Sequence, residues 1–157
     1  MTESALRILI DADACPVKDE TYRVAVRYGI RVKVVTNSWM RVPDREEIEL
    51  VFVEKSRELD VADDWIAERA GPGDIVITAD VPLAARVVKT GARALSPRGR
   101  IFTEESIGDT LATRDLMADL REGGEMTGGP PPFSKRDRSE FLQRLDQLVH
   151  AARRDVP

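Results

Sequence analysis

The sequence predicts a three-layer α/β/α protein with a central, mostly parallel sheet and an additional helix near its C-terminal end. Three observations lead to this fold class. Apolar runs such as 8–10 contain consecutive branched residues, as in strands that are covered on both faces. Segments with helical apolar spacing alternate with these runs, which is typical of parallel sheets. The length of 157 residues is that of one domain.

Each element before residue 96 has a local signal. The first helix is predicted to have Pro16 in its first turn and to end before Gly29, since proline is tolerated in a first turn and glycine commonly follows a last one. Asp60 is suited to cap a second helix, and Asp80 a third that begins near residue 82 and ends at Gly91. The second helix is predicted at 61–70, and the strands at 7–11, 31–36, 48–53, 74–79 and 92–95.

Composition changes sharply in the last third of the chain. A longer helix is predicted at 104–122, and seven of the ten residues at 123–132 are Gly or Pro, which indicates a loop. Ser134 and Asp137 have the spacing of a capping box, and a basic helix is predicted at 136–154. We assign an α/β domain to 1–122, a loop to 123–135, and a C-terminal helix that packs on the same domain to 136–157.

Composition excludes several classes of protein. With one Cys and one His, a single chain has neither an intrachain disulfide nor a His/Cys zinc site. The N-terminus does not resemble a signal peptide, and no apolar run approaches the ~18–20 residues that cross a bilayer, so we expect a cytoplasmic protein. Acidic residues are concentrated at 44–64 and basic residues at 134–154, a distribution consistent with a basic surface beside an acidic centre.

Carboxylates cluster where predicted strands end. Asp11 and Asp13 end the first strand, and Asp80 follows the fourth. In parallel α/β sheets, ligands bind beyond the carboxyl ends of the strands, so these acids converge if the first and fourth strands are neighbours. The helix before the fourth strand opens with three further acids, Asp60, Asp63 and Asp64.

Converging carboxylates repel one another, and a divalent cation relieves that repulsion. Oxygen ligands and water suit Mg²⁺ or Mn²⁺, and such a site serves phosphodiester hydrolysis. For three of these acids, a structural role without metal binding stays open. Asp60 and Asp80 are suited to cap helices, and Asp64 to face solvent. A purely structural interpretation is weakest for Asp11, because an acid directly after a buried strand is costly to bury without a partner.

Two other residues near these acids are candidates for function. Cys15 lies close to the predicted site, but the only histidine, His150, is remote in sequence, so we interpret Cys15 as a small core residue rather than a nucleophile. Trp39 follows the second strand, and it is either a base-stacking residue or a core or rim tryptophan.

Five segments together resemble the YaiI/YqxD family of uncharacterised bacterial proteins, which is grouped with PIN-like nucleases. The resemblance covers almost the whole chain. It implies a parallel α/β/α sheet and an acidic cluster that binds Mg²⁺ or Mn²⁺ for cleavage of RNA or DNA. The segments are LIDADACPVK, DVADDWI, GDIVITADVPLA, SPRGRIFT and PPFSKRDRSEF.

The resemblance assigns roles to individual acids. Asp11, Asp63 and Asp80 correspond to the catalytic and metal-binding acids of PIN-like domains, and Asp13, in the family's own D-A-D-A-C-P signature, is a further predicted ligand. The family's usual G-P-K-P-F appears here as G-P-P-P-F at 129–133, so one lysine that would contact phosphate is absent. The residues predicted to support the ligands are Ser38, Thr78, Asp60 and Asp64.

The predicted function is therefore metal-dependent phosphodiester cleavage, with RNA favoured over DNA as substrate. A haloacid-dehalogenase-like phosphatase with Asp11 as nucleophile is an alternative, since a D-x-D motif after the first strand is its signature. A non-catalytic metal- or RNA-binding domain is another. The predicted phosphate contacts are Arg98, Arg100, Arg114, Lys135 and Arg138.

Overall fold

A six-stranded sheet forms the centre of the protein in the computed structural model, which describes residues 6–54, 61–108 and 132–155. Its strand order is β3-β2-β1-β4-β5-β6. All neighbouring strands are parallel except β5 and β6, which are antiparallel. The strands are β1 (Arg7–Asp11), β2 (Arg31–Thr36), β3 (Ile48–Phe52), β4 (Asp74–Ile77), β5 (Arg93–Leu95) and β6 (Ile101–Phe102).

Helices cover both faces of this sheet, which confirms the predicted α/β class and its three layers. Helices α1 and α5 share a buried cluster with strand residues such as Ile8 and Ile10, whereas α2 and α3 share a second cluster that includes Leu9. This alternation is expected for successive residues of a strand. The helices are α1 (Lys18–Tyr28), α2 (Val61–Arg69), α3 (Val81–Lys89), α4 (residues 104–108) and α5 (Lys135–Asp155).

Several predicted boundaries differ from the observed ones. The strands predicted at 48–53 and 74–79 end earlier, at Phe52 and Ile77, and the antiparallel strand β6 was not predicted. Two residues are too few for strand periodicity to appear in a sequence. Asp60, most of the helix predicted at 104–122 and nearly all of the Gly/Pro segment lie outside the described residues.

Helix α5 packs tightly against the α1 side of the sheet. Phe141 and Leu145 of α5 are fully buried in the cluster shared with α1. The predicted capping box is confirmed: the backbone N–H of Asp137 donates to Ser134 Oγ at 3.2 Å, and that of Ser134 donates to Asp137 Oδ2 at 2.9 Å. None of the helices within the described ranges combines the length and hydropathy needed to cross a bilayer.

An ion pair joins the amino ends of the two central strands. Arg7 of β1 donates from Nε to Asp74 Oδ1 at 2.8 Å and from Nη2 to Asp74 Oδ2 at 3.2 Å, and Asp74 is 5% exposed. Arg7 Nη2 also donates to the carbonyl of Arg69 at 3.1 Å. The last residue of α2 therefore lies at the amino edge of the sheet, and α2 begins at the carboxyl edge.

The tight turn between β5 and β6 lies directly on α5. Its residue Gly99 has φ of 87°, and a Cβ added there would lie 2.7 Å from the carbonyl carbon of Glu140. Glycine is required at this position both for its backbone conformation and for the close approach of the helix.

We predict that Gly99→Ala destabilises the protein far more than Gly29→Ala. Gly29 has φ of 66°, but a Cβ there would meet no atom within 4 Å. Both variants place alanine in a left-handed conformation at about 1 kcal/mol, whereas only the first adds an overpacking cost of about 1–3 kcal/mol. Urea denaturation measures both free energies of unfolding. Equal losses would show that the turn does not depend on its contact with α5.

Candidate functional site

Asp11 lies at the carboxyl end of the central strand. Its strand, β1, is flanked by β2 on one side and by β4 on the other, so the sheet is built outward from β1 in both directions. This is the switch point at which open α/β sheets bind ligands. The half-buried Asp11 accepts a hydrogen bond at Oδ2 from Thr78 Oγ1 at 2.8 Å. Thr78 directly follows β4 and is only 1% exposed.

Asp80 is linked to Asp11 through the same threonine. The backbone N–H of Asp80 donates to Thr78 Oγ1 at 3.0 Å. The Asp80 side chain accepts from the backbone N–H of Leu83 at 2.9 Å and so caps α3. The interpretation of Asp80 as a helix cap is therefore confirmed. This cap involves Oδ1, and the other oxygen, Oδ2, has no hydrogen-bond partner among the residues that the structure describes.

Asp13 is directed toward the loop after β2. It lies in the 3₁₀ turn Ala12–Ala14, and its Oδ1 accepts from the hydroxyl of the fully buried Thr36 at 2.5 Å. The backbone N–H of Asn37 donates to both carboxylate oxygens, at 3.1 and 3.0 Å. Thr36 Oγ1 in turn accepts from the backbone N–H of Ser38 at 3.0 Å. Asp13 thus holds in place the loop that leads to Trp39.

The two acids in the first turn of α2, Asp63 and Asp64, have different surroundings. Asp63 and Asp64 lie in the first turn of the helix, at the carboxyl edge. Asp64 accepts from Arg86 of α3 at 2.8 Å, with both side chains about half exposed, so it links the two helices. Asp63 is half-buried, and Asp60 lies outside the described residues.

The four predicted ligands do not form a ready-made metal cage. Across residues 6–54, 61–108 and 132–155, no three acidic, His or Cys side chains are grouped so that they could hold a metal ion. Asp13 is held by β2 and its loop, which leaves Asp11 and Asp80 as the acids joined through Thr78. Mg²⁺ itself usually takes only one or two protein carboxylates and completes its coordination with substrate phosphate and water.

The predicted phosphate contacts have different surroundings. Arg138 Nη1 donates to Glu20 at 2.8 Å and to the carbonyl of Pro16 at 2.9 Å, and the guanidinium lies 4.9 Å from the Phe133 ring centre. Arg138 therefore ties α5 to α1. Lys135 is exposed on α5. Arg114 lies outside the described residues.

Two arginines that the sequence interpretation did not include lie beside Arg98 and Arg100. Arg136 and Arg144 of α5 line the same cleft, which has a volume of about 540 Å³. A signal for this pair was present in the sequence, because a separation of eight residues keeps two side chains within one stripe about 100° wide on a helix. The position of the β5–β6 turn beside that face was not visible in the sequence.

Cys15 is a core residue, as predicted. It is 6% exposed, and burial raises the pKa of its thiol, so the reactive thiolate is disfavoured at neutral pH. Trp39, by contrast, is 72% exposed beyond the end of β2. A core position for this tryptophan is therefore wrong, and an indole face is accessible at the edge that carries the acids.

Comparison with known proteins gives a consistent set of relatives. A family model described as "Uncharacterized BCR, YaiI/YqxD family" matches residues 9–151. A UPF0178 protein of Nitrobacter winogradskyi is 59% identical over 151 residues, which are 96% of this chain and 95% of the relative. One from Caulobacter vibrioides is 55% identical, over 96% of this chain and 97% of the relative. No solved structure matches the chain significantly.

We predict that Thr78→Val costs about 2 kcal/mol of stability, more than Thr21→Val. Both threonines are buried, at 1% and 0% exposure. Thr21 Oγ1 donates only to the carbonyl of Val17, which also accepts the Thr21 backbone N–H. Valine at 78 instead removes one hydrogen bond from the Asp11 carboxylate and one from the Asp80 N–H, whereas loss of a neutral bond costs about 1 kcal/mol. Chemical denaturation of both variants tests this order, and an equal or smaller loss at 78 would contradict it.

We predict that Cys15 reacts slowly with a disulfide reagent in the native protein and rapidly in denaturant. Burial both shields the sulfur and raises its pKa. Absorbance of the released thiol as a function of time measures the rate. Equal rates in the native and denatured states would show that Cys15 is accessible.

Proposed function

Since this chain belongs to the YaiI/YqxD family, whose relatives here carry names that state no activity, we propose its function from the geometry of the site. The proposed function is divalent-cation-dependent phosphodiester cleavage of a nucleic acid, with RNA favoured over DNA. The observation that carries the proposal is the placement of Asp11 at the carboxyl end of β1, with its carboxylate oriented by the buried hydroxyl of Thr78.

The buried hydroxyl makes Asp11 suitable as a ligand. A carboxylate at the end of an apolar strand needs a donor or a cation to offset its desolvation. Thr78 supplies one donor to Oδ2 and fixes the orientation of the group. Since the residue is only half-buried, the carboxylate remains accessible to a ligand from solvent.

Asp80 and Asp63 complete the proposed set of ligands. Asp80 follows the strand next to β1, and its Oδ2 is not used by the helix cap. Asp63 starts α2 at the same edge, on the face that carries α2 and α3. A bound Mg²⁺ or Mn²⁺ would supply a Lewis acid and lower the pKa of a coordinated water.

Asp13 supports the site without acting as a ligand in this proposal. Its oxygens accept hydrogen bonds from Thr36 and Asn37, so it orders the loop beside Asp11. The phosphatase alternative needs a second acid that donates a proton at the reaction centre. Asp13 is the residue in that sequence position, but both of its carboxylate oxygens are held by Thr36 and Asn37 and face the loop after β2. The phosphatase therefore has less support than the phosphodiesterase.

We predict that Asp11→Asn lowers cleavage of single-stranded RNA at least about 100-fold in Mg²⁺ or Mn²⁺. Loss of groups that merely orient metal ligands already costs about 10–100-fold, and a ligand contributes more. The control is Asp44→Asn, which removes an exposed carboxylate from the loop between β2 and β3. Gel separation of labelled RNA and DNA products, with and without chelator, measures the rates.

Four outcomes would contradict the proposal. Cleavage of no nucleic acid by the wild type, or equal rates in wild type and Asp11→Asn, would remove the nuclease function. Hydrolysis of small phosphate monoesters with a trapped aspartyl phosphate at Asp11 would select the phosphatase. RNA binding without cleavage, unaffected by Mg²⁺ and by Asp11→Asn, would identify a non-catalytic domain.

A further inference from the structure

An arginine-lined cleft lies between the β5–β6 turn and α5. We call it the arginine cleft. Its volume is about 540 Å³, larger than a single phosphate group requires. Four guanidinium groups and one carboxylate, that of Glu140, line it. The four arginines are Arg98 and Arg100 of the turn and Arg136 and Arg144 of the helix.

The cleft carries more positive than negative charge. Arg98 pairs with Asp137 at 3.2 Å. Arg144 donates to the neutral Gln147 at 3.1 Å. In the part of the chain that the structure describes, neither Arg100, Arg136 nor Arg144 forms an ion pair with a carboxylate, and all three are exposed. Several unpaired guanidinium groups around one concave surface attract anions, and their planar forks match phosphate oxygens.

The two walls of the cleft are held firmly together. Within the turn, the backbone N–H of Ser96 donates to the carbonyl of Arg100 at 2.9 Å, and that of Arg100 donates to Ser96 Oγ at 3.0 Å. Gly99 contacts the backbone of α5, where even a Cβ would clash. The arginines therefore project from a preorganised backbone, which lowers the entropic cost of binding.

The cleft lies at the same edge of the sheet as Asp11. The β5–β6 turn follows the carboxyl end of β5, and β5 is two strands from β1. At about 4.8 Å per strand, this separation is about 10 Å. A nucleic-acid backbone a few nucleotides long can bridge these two strand ends.

On the other side of Asp11, toward β2, the edge carries an exposed aromatic residue. Trp39 follows β2, which neighbours β1 on the side away from β5, and the residue is 72% exposed. Exposed aromatic rings stack on unpaired bases, whereas arginine grooves follow the phosphate backbone. The edge thus presents an aromatic ring, then acids, then arginines in the order of the strands.

We propose that the arginine cleft binds the phosphate backbone of a single-stranded nucleic acid that crosses the carboxyl edge from Trp39, past Asp11, to α5. This inference rests on the proposed function and adds to it the strandedness of the substrate and the surface that holds it. Arg136 and Arg144 are binding residues in this arrangement, and they take no part in the chemical step.

We predict that Arg136→Gln/Arg144→Gln weakens binding of a labelled single-stranded RNA on the order of tenfold at ~0.1 M salt. Each lost phosphate contact also lowers the magnitude of the slope of log affinity against log salt by about 0.7. The slope of the double variant is therefore smaller by about 1.4. Fluorescence anisotropy in chelator measures binding without cleavage. The control is Arg23→Gln/Arg154→Gln, which removes two exposed helix arginines outside the cleft. Thermal melts verify that both variants are folded.

Several results would overturn the inference. One is an equal loss of RNA affinity in the two double variants. A second is an affinity for duplex RNA equal to that for single-stranded RNA. A third is displacement of the RNA by inorganic phosphate at a matched concentration of phosphate groups. The last result would identify a site for small anions. The test is independent of catalysis: arginine-dependent binding without cleavage by the wild type would remove only the proposed activity, and cleavage without arginine-dependent binding would remove only the cleft.

Discussion

The structure depends on parallel pairing of β1 with neighbours on both sides. This pairing buries residues 8–10 completely between two layers of helices. Polar groups on β1 are therefore confined to its ends, where Arg7 and Asp11 lie. Because parallel strands all end at one edge, the same constraint brings Asp11 beside the residues that follow β2 and β4. The location of the candidate site follows from the way the core is buried.

Helix α5 extends this edge on one side. Arg138 joins its first turns to α1 through Glu20, and Phe141 is buried in the cluster beneath. The β5–β6 turn is in contact with the same helix through Gly99. Packing of the final helix therefore does more than cover the sheet. It turns two separate pairs of arginines into one concave surface.

Local sequence patterns predicted the elements and the cap, but not the contacts between distant segments. The apolar runs gave the parallel strands, and Asp80 was correctly considered as a helix cap because its partner is three residues away. The role of Asp13 as a metal ligand stays a prediction, and its hydrogen bonds with Thr36 and Asn37, more than 20 residues along the chain, were not predicted. The pairing of Arg136 with the β5–β6 turn likewise depends on tertiary packing, which local periodicity does not encode.

The ion pair at the amino edge has a consequence for how the chain reaches its fold. Arg7 and Asp74 join β1 and β4 at one end, and Asp11 and Thr78 join the same strands at the other, each pair 67 residues apart in sequence. If the register between β1 and β4 shifted by one residue, the apolar side chains would face the wrong side of the sheet. Any shift in register would also break both polar links together. Misaligned intermediates are thus penalised at two points, which widens the energy gap between the native pairing and its nearest competitors.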